Sequence, residues 1–250
     1  MMKRHWFKIV RAVLPAALVA AIATTASAQI VQVTGRDARH SGGFNLGYLW
    51  VQPEDGRHED DVLVANLSSA DPLFFEINDF NTLTIGGEWL YAISNYVEFG
   101  AGIGYSQRTA PSVYRDVVNS SGAEIAQDLK LRMAPIDLTA RFLPAGRGGA
   151  AEPYVGGGVT FVNWRYSESG EFVDSSDGTI FRETYKASGT QPGWVILAGV
   201  RFPFAETLAA GVEFKYQNAV GDTNAVESQL LGDKIDLTNR SLNFTFHFRF

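Results

Sequence analysis

Between Phe44 and Phe250 apolar side chains recur at every second position in short runs. That period puts successive residues on opposite faces of a β-strand. The last run is the clearest: Leu242, Phe244, Phe246, Phe248 and Phe250 share one face, while Asn243, Thr245, His247 and Arg249 share the other. The same alternation predicts strands over 44–50, 83–91, 97–105, 129–142, 194–202 and 208–216. An eighth, over 153–166, has an open phase. Val155, Val159 and Phe161 favour one face outward, and Tyr154, Val162, Trp164 and Tyr166 favour the other. In the 129–142 segment the apolar positions switch from odd (Leu129, Leu131, Met133) to even (Ile136 to Phe142). A β-bulge at Pro135 is the expected device for that switch. A similar slip is expected between Leu237 and Leu242.

The connections alternate in length. Those over 93–96, 143–152 and 203–206 are short, and those over 52–81, 107–128, 167–191 and 218–234 are long. Alternation of this kind predicts an up-and-down antiparallel sheet with short turns at one end and long loops at the other. The faces then decide what surrounds the sheet. An inward set of Phe, Trp and Leu side chains would overfill an eight-stranded barrel, whose interior only just holds side chains. Turned outward, those residues face hydrocarbon. Gly47, Gly86, Gly100, Gly102, Gly104, Gly199 and Gly211 then leave room inside for long charged side chains. Closing the sheet also pairs every strand edge, which a lipid core demands.

With these features, residues 43–250 resemble the small eight-stranded outer-membrane barrels of Gram-negative bacteria, the OmpA/OmpX-like group. The resemblance implies an all-β, eight-stranded transmembrane barrel with periplasmic termini, short periplasmic turns and long extracellular loops. It implies a place in the outer membrane among lipid and lipopolysaccharide. It also implies that Leu242, Phe244, Phe246, Phe248 and Phe250 form the C-terminal signal read by the outer-membrane insertion machinery. The sequence stops with the barrel, so no peptidoglycan-binding domain is expected. A monomer is expected.

The opening residues fit export. Lys3, Arg4, Lys8 and Arg11 precede an apolar stretch over 12–23, and Ala26-Ser27-Ala28 has the small-x-small form of a cleavage site. The expected division is a signal peptide over 1–28, a periplasmic segment over 29–42 and the barrel over 43–250. Without the signal, 17 basic side chains face 27 acidic ones and the net charge moves from −6 to −10, which argues against a nucleic-acid partner. The chain has no cysteine, so disulfides, thiolate metal sites and cysteine nucleophiles are excluded.

Candidate chemistry lies on the lumen face. Glu88, Glu98, Asp137 and Glu213 stand against Arg141, Arg201, Lys215 and Arg249, with His247 beside them. Four charges against four predict ion pairs, because an unpaired buried charge costs several kcal/mol. Distance from the short turns places Glu98, Arg141, Arg201 and Arg249 low, and Glu88, Asp137, Glu213, Lys215 and His247 higher. Two readings follow: a static polar plug, or a charge gate in a narrow ion or solute path. The first long loop carries Glu54, Asp55, Glu59, Asp60, Asp61, Asp71, Glu76 and Asp79 against Arg57, without the EF-hand spacing. It reads as a solvated loop, with a cation site as the sharper alternative. Phe74, Phe75, Val113 and Tyr114 are apolar enough for a partner or a fold-back.

An enzyme is not expected. His40, His58 and His247 are the histidines after the signal. His40-Ser41 precedes the first predicted strand and lacks the His-x-Ser-Asn form of outer-membrane deacylases. Neither His-Glu-x-x-His nor Gly-x-Ser-x-Gly occurs. No cofactor or metal is implied. The competing architecture is a soluble periplasmic ligand-binding barrel of lipocalin type, with its apolar face inward.

Overall fold

The computed structural model describes residues 38–174 and 177–250. The predicted signal over 1–28, and most of the segment over 29–42, lie outside the described residues.

Eight antiparallel strands close into a ring: β1 (His40–Val51), β3 (Thr82–Ala92), β4 (Val97–Val118), β5 (Glu124–Phe142), β6 (Glu152–Val173), β7 (Ile180–Pro203), β8 (Leu208–Asn218) and β11 (Asn239–Arg249). Each pairs with its sequence neighbour in the ring, and β1 closes on β11 from Ser41↔Arg249 to Val51↔Asn239. The first strand starts at His40, so His40 and Ser41 lie inside it rather than before it. Backbone bonds between His40 and Phe250 tie the first and last strands together at the short-turn end.

Two predicted loops are strands instead. Residues 107–118 continue β4 and 124–128 begin β5, so the second long connection is a hairpin with its turn at 119–123. The third is built the same way by β6 and β7, which pair as far as Val173↔Ile180. These hairpins carry the sheet well beyond the apolar belt. The first connection holds a helix, α1 (Val62–Ser68), and a short strand, β2 (Leu73–Phe74), paired with β4. The fourth holds a ribbon of β9 (Val220–Asp222) and β10 (Lys234–Asp236).

The bulge expected at Pro135 is absent. Pairing of β5 with β6 keeps one register from Gln127↔Gly170 to Phe142↔Val155, and β4–β5 pairing has the same register on both sides of Pro135. Odd residues of β5 face inward along its whole length: Leu129, Leu131 and Met133 are as buried as Asp137 and Arg141. The geometry is constant and the surroundings change. Near the short turns the barrel has lipid-seeking residues outside and charges inside; near the loops it has water outside and an apolar core inside. β6 obeys the same rule, which settles its phase. Tyr154, Val162, Trp164 and Tyr166 point inward, and Val155, Val159 and Phe161 point outward. The slip expected after Leu237 is a break between β10 and β11.

The outward belt runs around the ring. Phe44, Leu83, Ile103, Ile136, Ile196 and Phe244 are exposed, the last at 66%. Leu242 to Phe250 span nine residues, the length a tilted membrane strand needs. Water would strongly disfavour such a surface, at about 25 cal/mol per Å2. The lipocalin alternative, with apolar side chains inward beneath a polar wall, does not describe this belt.

Candidate functional site

The lumen has two storeys, and the lower is ionic. Strand alternation aims the side chains inward, and small residues opposite give them room. Arg201 lies 2.7 Å from Glu98 and 3.6 Å from Glu152, with no exposed surface on its side chain. Glu152 also receives Arg249. Arg147, from the link between β5 and β6, reaches Glu98 at 3.1 Å and donates to the carbonyl of Ala38 at 2.8 Å. One layer above, Arg141 bridges Glu88 at 2.5 Å and Glu213 at 3.1 Å. Lys215 meets Asp137 at 2.8 Å, and His247 Nε2 lies 3.4 Å from Glu88.

All nine predicted lumen residues are therefore brought together, with one change of level. Arg141 has a low backbone position, but its guanidinium rises to Glu88 and Glu213 and belongs to the higher group. Three members were missed by sequence reasoning. Glu152 falls at the end of a predicted short connection, Arg147 lies in a turn that folds under the barrel, and Tyr154 sits on the strand of open phase. Tyr154 is the centre of the layer. The guanidinium carbons of Arg141 and Arg201 lie 5.0 and 5.1 Å from its ring centre, and its hydroxyl donates to Glu213 at 3.0 Å. Gly199 makes space for the ring: a Cβ there would fall 2.5 Å from the Tyr154 hydroxyl oxygen. A Glu-x-Tyr pair beginning β6 with three glycines, Gly156 to Gly158, after it was the available signal.

The upper storey is apolar. Leu49, Val51, Leu129, Leu131, Val162 and Trp164 line the wall, and the first and fourth connections fold down between them. From the first come Val62, Leu63, Phe75 and Phe80; from the fourth come Leu230, Ile235 and Leu237. One buried ion pair joins the two connections. Asp61 accepts from Arg57 at 2.8 Å and from the backbone N–H of Asp236 at 2.6 Å, and it caps α1 through Leu63 and Val64. Arg57 donates in turn to the carbonyl of Asp236 at 2.7 Å. The acidic loop is thus partly structural. Asp61 is enclosed, and Glu76 and Asp79 form a capping box. Among the described residues no three acidic or histidine side chains converge as a metal site. Phe75 folds back while Phe74 stays 63% exposed.

Between the storeys lies a cavity of about 40 Å3, lined by Asn45, Glu88, Asp137, Lys215 and Asn243 among others. At about 15 Å3 per site, it has room for two or three waters.

Comparison with known proteins agrees with this architecture. The family described as outer membrane protein beta-barrel domain matches residues 14–250. The solved structures similar to this chain include OprG from Pseudomonas aeruginosa (13% identity, 85% of this chain and 97% of that chain covered, TM-score 0.49). They also include Neisserial surface protein A (12%, 84% and 97%, 0.46) and the outer membrane protease OmpT from Escherichia coli (12%, 85% and 94%, 0.42). No curated protein matches the chain significantly.

Proposed function

Because the chain belongs to the outer membrane protein β-barrel family, we propose that it is a non-conducting barrel of the outer membrane with a structural or surface-interaction role. The observation that carries this reading is the double closure of the lumen. A path for ions would have to cross a layer in which Arg141, Arg201 and Arg249 are each held by carboxylates, then a stopper built on Leu63, Trp164 and Ile235. Parting the first layer leaves buried charge unpaired, and parting the second exposes apolar surface to water. The two costs differ in kind, so no single signal lifts both.

The protein acts as a monomer, held by lipid and by lipopolysaccharide around the belt. A role without catalysis is the favoured reading, supported by His247, which faces Glu88 and lies enclosed beneath the stopper. The alternation of Leu242, Phe244, Phe246, Phe248 and Phe250 on β11 serves as the mark read by the insertion machinery. Planar-bilayer recording of the refolded protein tests the main reading. A flat baseline over a wide voltage range is expected. Regular single-channel steps, or rapid sugar uptake into liposomes, would replace it with a narrow ion or solute channel.

A further inference from the structure

At the extracellular mouth, above the stopper, a cavity of about 280 Å3 opens between α1, the β6–β7 hairpin and the fourth connection. Its walls are aromatic. Phe172 meets Tyr185 edge-on at 4.7 Å and stacks on Phe181 at 6.0 Å, and Tyr114 faces them. Glu168 lines it and is 3% exposed. One carboxylate oxygen of Glu168 accepts from Asn66 Nδ2 at 2.5 Å and from the Tyr166 hydroxyl at 2.9 Å.

Every other buried glutamate among the described residues faces an arginine: Glu98 faces Arg147 and Arg201, Glu152 faces Arg201 and Arg249, and Glu213 faces Arg141. Glu168 has neutral donors only. The lining contains no lysine or arginine, and a second acid, Asp71, stands at its edge. An independent sign comes from Gln127. Its amide nitrogen is used by the Tyr114 hydroxyl and the Glu171 carbonyl, yet its buried Oε1 accepts from no described residue. The site therefore offers an enclosed carboxyl without a cationic partner, a spare acceptor and several π faces, with no positive charge among its own residues.

This combination selects a cation, and its walls select the kind. A metal ion would want several converging oxygens. Aromatic faces instead attract a large, weakly hydrated ammonium through their negative quadrupoles. The volume sits just under the roughly 300–1,000 Å3 usual for small-molecule sites, so the guest is small. We propose that this cavity binds a small quaternary ammonium compound, with Glu168 as its counter-ion and Tyr114, Phe172 and Tyr185 as its walls. The site lies outside the lumen closure and does not depend on whether the barrel conducts.

The test is calorimetric titration of the folded full chain with choline in a non-ionic detergent, since phosphocholine detergents carry the same headgroup. Saturable heat is expected. The neutral isostere 3,3-dimethylbutan-1-ol should bind at least about tenfold more weakly, because it lacks the charge that Glu168 answers. Glu168→Gln should weaken choline by a similar factor and leave the alcohol unchanged. Tyr185→Leu, at a partly buried wall position, should weaken choline several-fold and serves as the second variant if Glu168→Gln does not fold. No saturable heat with choline overturns the proposal. So does equal binding of the alcohol, or choline binding untouched by whichever of the two variants folds.

Discussion

The two storeys of the lumen close the same cylinder by opposite chemistry. The lower depends on charges that cannot leave one another; the upper depends on apolar side chains that water cannot displace. What separates them is the medium outside the wall. Where lipid covers the outer face, the apolar residues of each strand are drawn outward and the inside must be polar enough to fill with paired charge. Where water covers it, the same strand in the same register carries its apolar residues inward. Residues 129–142 show the exchange within one strand: Leu131 and Met133 point into the upper storey, and Ile136 and Leu138 point into lipid. A barrel of this type is a soluble β-structure stacked on a membrane one, and the change of face marks the seam.

The sharpest way to break the lower storey is Arg141→Met. It leaves Glu88 and Glu213 without their shared cation and strips one guanidinium from Tyr154. Removing one partner of a buried pair costs about 3–5 kcal/mol. Urea unfolding in lipid vesicles, followed by heat-modifiable gel migration, should show a loss of that size. The triple variant Arg141→Met, Glu88→Gln, Glu213→Gln removes the stranded charge and should recover most of the loss. Failure to recover would mean that Arg141 acts through packing rather than through charge.

Leu63→Ala probes the upper storey. Leu63 is fully buried on α1, and truncating a core leucine costs about 2.7–5 kcal/mol when the cavity does not collapse. A loop element can partly collapse, so the low end applies. The loss should be local. Hydrogen exchange should quicken over 57–68 and 234–237, while the urea midpoint of the ring stays nearly fixed. A fall in the ring's own midpoint would show that the two storeys unfold together.

The sequence made the ring legible because strand period and lipid-facing aromatics act together at each residue, as on β11. The ion pairs were legible for the same reason: a charge on the inner face of a narrow barrel has few places to go. The upper storey was not legible. There the apolar stripe changes face without any change in backbone, and the pattern imitates a bulge at Pro135. The hairpin extensions within 107–128 and 167–191 carry polar outer residues such as Thr109, Asp128 and Lys186, which read as loop until inward residues such as Ile125 and Ala187 are counted with them. Arg147 and Glu152 were hidden because a turn residue has no strand phase to declare which way it points. The mouth cavity draws its walls from β4, β6 and β7 and one donor from α1, and no local stretch of sequence holds that pattern.

A smaller effect sharpens the lower storey. Gly199→Ala adds a methyl group 2.5 Å from the Tyr154 hydroxyl oxygen and close to the Val200–Val212 backbone pairing. The ring must shift from its place between Arg141 and Arg201. Overpacking of this kind costs about 1–3 kcal/mol. Tyr154→Phe in the same background tests the cause. It removes one of the clashing atoms, leaving Cζ and the Val212 carbonyl oxygen each 2.6 Å from the new methyl group, at the price of one hydrogen bond, and the double variant should lose slightly less than the two single losses added.

The smallest expected effect lies at the top of the upper storey, where pH reads the state of Glu168. This residue stands seven positions above Phe161, the last lipid-facing apolar residue of β6. Burial pushes its carboxyl above the usual glutamate range, against the opposing pull of the Asn66 and Tyr166 hydrogen bonds. The groups around it, Tyr166, Tyr114, Tyr185 and Asp71, supply no positive charge. A carboxyl that holds its proton more tightly in the folded state contributes stability that is fully present below the unfolded value of about 4.3. That contribution is lost as pH rises through the raised folded value. Glu168→Gln keeps an oxygen for Asn66 and Tyr166 and never ionises. Its protection of the loops, read by hydrogen exchange over 62–68, should match the parent's at about pH 4 and exceed it increasingly toward about pH 8. Choline should act in the opposite sense on the parent, restoring protection at high pH by supplying the missing cation, and should leave Glu168→Gln unmoved. A parent whose loop protection is flat with pH would mean that water reaches Glu168 freely, and the division between a wet outer wall and a dry upper core would fail at its own edge.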